Sequence, residues 1–216
     1  MFAKTINAAV LFALAASLPA TAGIVQTLQP DAAYLSNTNL LAITDPVDSN
    51  IDEVSDGNVT ASFSHTLAVS GIGSGWATWG SPPDTELSTP LVLRHPSYDS
   101  SATSLVLSFS KGLTTFGLEA EPDPFDLRNI TMDFYNGVVL LGSITRSING
   151  SAGARLLAGT TDNNQFITSV VVSSDVDFAI AQLRYDEAGA VPEPASMGLM
   201  ASGFGALMFW ARRRKQ

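Results

Sequence analysis

Three carboxylates at alternating positions, Glu119, Glu121 and Asp123 in Glu-Ala-Glu-Pro-Asp-Pro, are the first candidates for chemistry. On an extended chain, side chains two apart share a face, and two carboxylates at a suitable separation can cleave a glycosidic bond. Pro122 and Pro124 argue instead for a strand end running into a loop, with the carboxylates facing water. A second acidic run, Asp45 to Glu53 followed by Asp56-Gly57, suggests calcium, which takes six to eight oxygen ligands. Asp48, Asn50 and Asp52 are spaced like the start of an EF-hand. However, Glu53 stands where the turn needs glycine, and Val59 where a bidentate glutamate is needed. Asp48, Asp52 and Asp56 therefore remain as a candidate calcium site of another kind, against the plainer reading of a solvated acidic loop; no other cofactor is indicated.

His65 and His95 are the two histidines of the chain. No Gly-x-Ser-x-Gly elbow accompanies them, so a serine triad has no support. Strict alternation puts His65 on the apolar face of its segment, as a core or rim residue, and His95 precedes Pro96 in a loop. Gly71-Ile72-Gly73-Ser74-Gly75 lacks the Lys-Ser/Thr that a phosphate loop requires and reads as a turn. Trp76 and Trp79, flanked by Gly75 and Gly80, are candidates for stacking on a sugar ring; the alternative is that they close the core beneath a loop. The chain has no cysteine, which excludes a disulfide framework, a thiol nucleophile and a thiolate-held metal.

The elements that must position these residues are strands. Val59, Ala61, Phe63, Leu67 and Val69 alternate with Thr60, Ser62, Ser64 and Thr66, the period-two pattern of a half-buried strand. Leu105, Leu107 and Phe109 repeat it, as do Ile130, Met132 and Phe134. Further strands are expected over 115–119, 138–144, 155–158, 167–173 and 178–185. Turn signals separate them at Lys111-Gly112, Asn136-Gly137, Asn149-Gly150 and Asp162-Asn163-Asn164, and Asn136-Gly137 is a good hairpin turn. Eight or more short strands argue an all-β fold, an antiparallel β-sandwich of jelly-roll type. Residues 23–56 are expected to hold one or two irregular strands and an exposed acidic loop.

Both ends differ from this body. Residues 1–22 carry one early cation, Lys4, an apolar run and Ala20-Thr21-Ala22. This is the pattern of a signal peptide cleaved between Ala22 and Gly23 by signal peptidase. At the other end an uncharged apolar stretch, residues 195–211, would reach about 25 Å as a helix, against roughly 30 Å of hydrocarbon. Trp210 sits at its far end, where an indole favours the headgroup level. Arg212, Arg213, Arg214 and Lys215 follow as a basic stop-transfer cluster, which places the C-terminus in the cytoplasm. The expected organisation is a signal peptide over 1–22, an extracytoplasmic domain over 23–190 and a C-terminal segment over 191–216. The middle domain holds 19 of the 20 acidic residues and six of the 11 basic ones, a net charge of −13. Nucleic acid is thereby excluded as a partner, since phosphate binding needs a basic footprint.

Val191-Pro192-Glu193-Pro194, the apolar helix and the Arg-rich end together resemble the PEP-CTERM sorting signal of Gram-negative bacteria. The resemblance covers about 26 residues and rests on motif, span, basic cluster and terminal position together. It implies a substrate of exosortase, a membrane-embedded protease or transpeptidase, recognised at Pro192, Glu193 and Pro194. The precursor would be anchored in the inner membrane with its domain in the periplasm, then processed to the cell surface or secreted. The implied role is that of a non-enzymatic surface or matrix protein, with exopolysaccharide as a candidate partner. Segments 115–119, 154–158 and 178–185 are similar to the β-rich bodies of PEP-CTERM proteins, whose outline is that of carbohydrate-binding jelly rolls. The alternative is a secreted carbohydrate-binding module with Trp76, Trp79 or the calcium loop at its site and, further behind, a glycoside hydrolase using Glu119 and Glu121.

Overall fold

The computed structural model describes residues 23–97, 102–162 and 165–187. The chain runs β1 (Ile24–Thr27), α1 (Ala32–Asn37), β2 (Asn39–Leu41), β3 (Asn50–Ser55), β4 (Thr60–Ile72), β5 (Gly75–Trp76) and β6 (Leu91–Arg94). It continues as β7 (Ser104–Pro122), β8 (Leu127–Asn136), β9 (Val139–Asn149), β10 (Arg155–Thr161), β11 (Ile167–Ser174) and β12 (Phe178–Glu187). The pairings are antiparallel except for the two-residue β4–β5 contact.

One strand organises the molecule. The first half of β7 pairs with β11 and β4, and its second half pairs with β12 and β10. β7 therefore belongs to two layers. One layer runs β9-β8-β11-β7-β4-β3, and the other holds β1, β10, the second half of β7, β12, β2 and β6. The expected turn at Lys111-Gly112 is not a turn, and 105–109 and 115–119 are not separate strands. The chain passes extended through the corner instead, with the Phe109 and Phe116 rings 4.5 Å apart on either side of it. Leu107, Ile130, Met132, Phe134, Val170 and Val172 of the first layer meet Phe116, Leu118, Leu157, Ile180, Leu183 and Tyr185 of the second in one buried core. Alternation supplies these residues, and their removal from water is the main force holding the layers together.

The acidic segment is more ordered than its composition suggests. Residues 23–56 form three strands and the short α1, and Asn50–Ser55 within the acidic run pair with β4. β8 turns into β9 at Gly137-Val138, one residue later than expected: Asn136 ends β8 opposite Val139, and Gly137 takes φ 58°.

β12 carries an extra residue. Ala181 pairs with Glu119 but Arg184 with Gly117, and Gln182 between them adopts φ 50°. This bulge resets the alternation. Ile180, Leu183 and Tyr185 join the core, while Ala179 and Ala181 join a second cluster with Trp76, Trp79, Val92 and Ala154 on the far side of that layer. The bulge thus turns Arg184 away from the core.

Candidate functional site

The second layer is covered on both faces, and this decides what its carboxylates can do. Phe116, Leu118 and Ala120 of β7 face the core, which leaves Glu119 and Glu121 on the opposite face. Over that face folds the segment between β4 and β6. Trp76 donates its indole N–H to Glu121 Oε2 at 2.8 Å, and Trp79 donates to Glu119 Oε2 at 3.0 Å. Glu121 Oε1 also accepts the Gly153 N–H at 3.0 Å, and Glu119 Oε1 accepts the Glu86 N–H. Glu119 is 1% exposed, Glu121 0%, Trp76 5% and Trp79 3%.

One expectation is corrected here, and of the two readings of Trp76 and Trp79 the buried one holds. The carboxylates do not face water, because the strand continues to Pro122 and the covering segment closes over them. Trp76 and Trp79 are not exposed platforms for a sugar ring; they pack with Val92 and Ala179 and satisfy the buried acids. Asp123, the third of the alternating acids, is exposed. Burial pushes the Glu119 carboxyl up to about 7, against the hydrogen bonds from Glu86 and Trp79. Burial also raises Glu121, opposed chiefly by Trp76 and Gly153. Beside them Arg184 forms a two-point pair with Glu86, both contacts 2.7 Å, and donates to the Thr38 carbonyl at 3.1 Å. That arginine ties the covering segment and α1 to β12. The buried acids and Arg184 act as fasteners.

The acidic loop disperses in a similar way. Asp52 accepts the Thr66 hydroxyl at 2.5 Å. Asp56 Oδ1 accepts the Asn58 and Val59 N–H groups, both at 2.9 Å, and its Oδ2 accepts the Tyr185 hydroxyl at 2.6 Å. Partial burial pushes the Asp56 carboxyl up, but these hydrogen bonds outweigh it and hold the group below its ordinary range. Asp48 occupies a positive-φ turn position. Asp48, Asp52 and Asp56 do not converge as a calcium site, and among the described residues no group of three or more His, Asp or Glu is placed to hold a metal ion directly.

The outer face of the first layer is different. Strand register aligns Ser104, Ser173, Thr131 and Thr145 in one row, and Ser62, Ser108, Ser169 and Tyr135 in another, across β4, β7, β11, β8 and β9. At one end this face sinks into a groove of 630 Å³ lined by Arg128, Asn129, Thr131, Ser147, Ser173 and Asp175, among others. Arg128 is held by Asp126 through two contacts of 2.8 Å and by Asp175 at 2.9 Å, so its charge is neutralised and the cluster is left acidic. The other donors and acceptors of the groove are hydroxyls and an amide. Sequence reasoning missed it, although Ser and Thr on the outward positions of β7, β8, β9 and β11 were the available signal.

The two histidines, placed apart by the sequence reading, come together at a rim of the sandwich with Asp177 beside them. The expected cleavage site Ala22–Gly23 lies at the edge of the described residues, with Gly23 inside and Ala22 outside. Pro192, Glu193, Pro194, the expected 195–211 helix and Arg212, Arg213, Arg214 and Lys215 all lie outside them. Among the described residues no helix is long and apolar enough to cross a membrane.

Residues 190–215 match the family model for the PEP-CTERM protein-sorting motif. The chain carries that sorting motif. The match covers the C-terminal region and leaves the sandwich outside it. No curated protein matches the sequence. Among solved structures, the chain is similar to CsCBM6-3 from Clostridium stercorarium in complex with cellobiose, at 14% identity and TM-score 0.34, covering 68% of this chain and 100% of that one. It is similar to the CBM22-1–GH10 modules of Clostridium thermocellum xylanase 10B complexed with xylohexaose, at 7% identity and TM-score 0.32, covering 60% and 26%. It is also similar to the enzymatically active domain of bacteriophage CBA120 tailspike protein 4, at 16% identity and TM-score 0.29, covering 60% and 19%. The PEP-CTERM segment is the finding that bears on function.

Proposed function

We propose that this protein is an exported surface or extracellular-matrix protein, sorted and processed by exosortase at its C-terminal signal, and non-enzymatic. The observation that carries this reading is the PEP-CTERM motif at residues 190–215. Signal peptidase cuts between Ala22 and Gly23, the 195–211 helix anchors the precursor in the inner membrane, and exosortase acts at Pro192, Glu193 and Pro194. The burial of Glu119 and Glu121 beneath Trp79 and Trp76 supports a structural role for both acids, since no substrate could reach them without displacing the covering segment. The test is the intact mass of the mature protein from its own host and from a strain lacking exosortase. A chain from Gly23 to about Pro194, with the full tail kept only in the mutant strain, is the expected result. Retention of residues 195–216 in both strains would make the helix a permanent anchor.

The groove beside Thr131 and Ser173 supports a second reading, a carbohydrate-binding module of jelly-roll type. A hydroxyl-lined depression whose arginine is already ion-paired can exchange hydrogen bonds with the hydroxyls of an exopolysaccharide. Glycan arrays with and without EDTA test it, together with a Thr131→Arg variant that fills the groove. Binding that survives EDTA and is lost in the variant supports the reading; absence of binding across the array rejects it.

A further inference from the structure

We propose that His65 and His95 together form a binding site for one divalent transition-metal ion of the imidazole-preferring kind (Cu²⁺, Ni²⁺ or Zn²⁺), with Asp177 holding a metal-bound water. The pairing of β4 with β6 matches Ala68 to Arg94 and Val69 to Leu93. Continuing that register sets His95 level with Leu67, two residues from His65 and on the same face. The ring centroids are 5.5 Å apart and the planes are inclined by 56°. With metal–nitrogen bonds of about 2.0–2.1 Å, two imidazoles on one tetrahedral ion place their centroids roughly 5–5.5 Å apart.

Each ring is oriented through its Nδ1. Ser64 Oγ lies 3.2 Å from His65 Nδ1. Ser97 Oγ lies 2.9 Å from His95 Nδ1, and the Ser97 N–H donates to the same nitrogen at 3.4 Å. A metal on Nε2 requires each Nδ1 to carry the proton and donate it to its serine hydroxyl, the arrangement that metal-binding histidines use; at His95 the long Ser97 N–H contact is given up for it. Neither Nε2 has a hydrogen-bond partner among the described residues.

A second observation comes from the other side of the same cavity. Asp177 is 4% exposed; its Oδ1 accepts the Phe178 N–H at 2.9 Å, while its Oδ2 is buried and has no partner. Asp177 lines, with both histidines, a cavity of 10 Å³, room for a single water. An unpartnered buried oxygen is costly, and a metal-bound water would satisfy it. Since no third His, Asp or Glu completes an inner shell among the described residues, water fills the remaining positions and Asp177 acts from outside the shell.

The experiment uses the untagged full chain in detergent, titrated with Cu²⁺ under electron paramagnetic resonance and with Zn²⁺ by calorimetry. One equivalent with hyperfine coupling to two imidazole nitrogens is expected, Cu²⁺ binding more tightly than Zn²⁺. His65→Asn and His95→Asn should each weaken binding at least tenfold, and Asp177→Asn about tenfold. Metal-free melting temperatures show that the variants are folded. No saturable equivalent, or affinity unchanged in both histidine variants, overturns the proposal. Should the variants fail to fold, wild-type protein still decides it: Zn²⁺ must shield both histidines from diethyl pyrocarbonate, and unshielded histidines overturn the site.

Discussion

Glu119 is a carboxylate buried beneath an indole, and its protonation is coupled to folding. Its folded pKa of about 7 lies above the ordinary 4.5, so the folded state holds the proton more tightly than the unfolded chain. The stabilisation is therefore complete below about pH 4.5 and is lost as pH rises through about 7, on the order of 3 kcal/mol. Asp177, pushed up by burial to about 6, acts in the same direction. Urea unfolding of the wild type should show stability falling between pH 5 and 8. Glu119→Gln should flatten most of that fall and leave the smaller slope from Asp177; an unchanged slope would mean that Glu119 is ionised throughout. The neighbouring Tyr34 makes a separate case. Its hydroxyl is buried without a partner and faces Gly117 and Ala158, so its hydrogen bonds to water are lost with nothing in return. Tyr34→Phe should stabilise the fold by about 1 kcal/mol. A loss of similar size would show that the hydroxyl has a bound water as its partner.

Strands with clean alternation were legible because their pattern is local: β4, β8 and β11 occur where Val59–Val69, Ile130–Phe134 and Ile167–Ser173 indicate. The fusion of 105–109 with 115–119 was not, because Lys111-Gly112 has turn composition and only the two-layer topology asks the chain to pass straight through. Glu119 and Glu121 were singled out correctly but placed in water. Their burial depends on Trp76 and Trp79, some 40 residues earlier, folding over the sheet, which no local pattern encodes. The Gln182 bulge was equally hidden, since residues 178–185 read as one strand whichever face Arg184 takes. That bulge carries the prediction at this scale. Gln182 sits at φ 50°, a region where a β-branched side chain is strained and glycine is not. Gln182→Val should therefore be less stable than Gln182→Gly by about 1–2 kcal/mol, read from urea midpoints at constant slope. Equal stabilities would mean that the bulge is not held in that conformation.

At the scale of the whole molecule, the proposed export and the fold meet at Gly23. The Gly23 N–H donates to Asp162 Oδ1 at 2.9 Å, and a Cβ at position 23 would lie 2.9 Å from Asp162 Oδ2, so the carboxylate is seated against a residue without a side chain. β1 begins at the next residue and pairs with β10 from Ile24 opposite Thr161. Cleavage between Ala22 and Gly23 would turn this amide into an α-ammonium group at hydrogen-bond distance from the Asp162 carboxylate. The neutral bond of the precursor would then become an ion pair in the mature chain, fastening the first strand only after the leader is removed. Such a pair at a half-buried site contributes about 1 kcal/mol, worth roughly 2–4 °C in a domain of this size. Asp162→Asn should therefore lower the melting temperature of mature protein beginning at Gly23 by that amount at pH 7. The difference should shrink near pH 10, where an α-amino group of ordinary pKa about 8 is neutral. In uncleaved precursor the same substitution should cost less, and its cost should not vary between the two pH values. An equal loss in both forms would show that Asp162 serves only the backbone, and that removal of the leader leaves the stability of the sandwich unchanged.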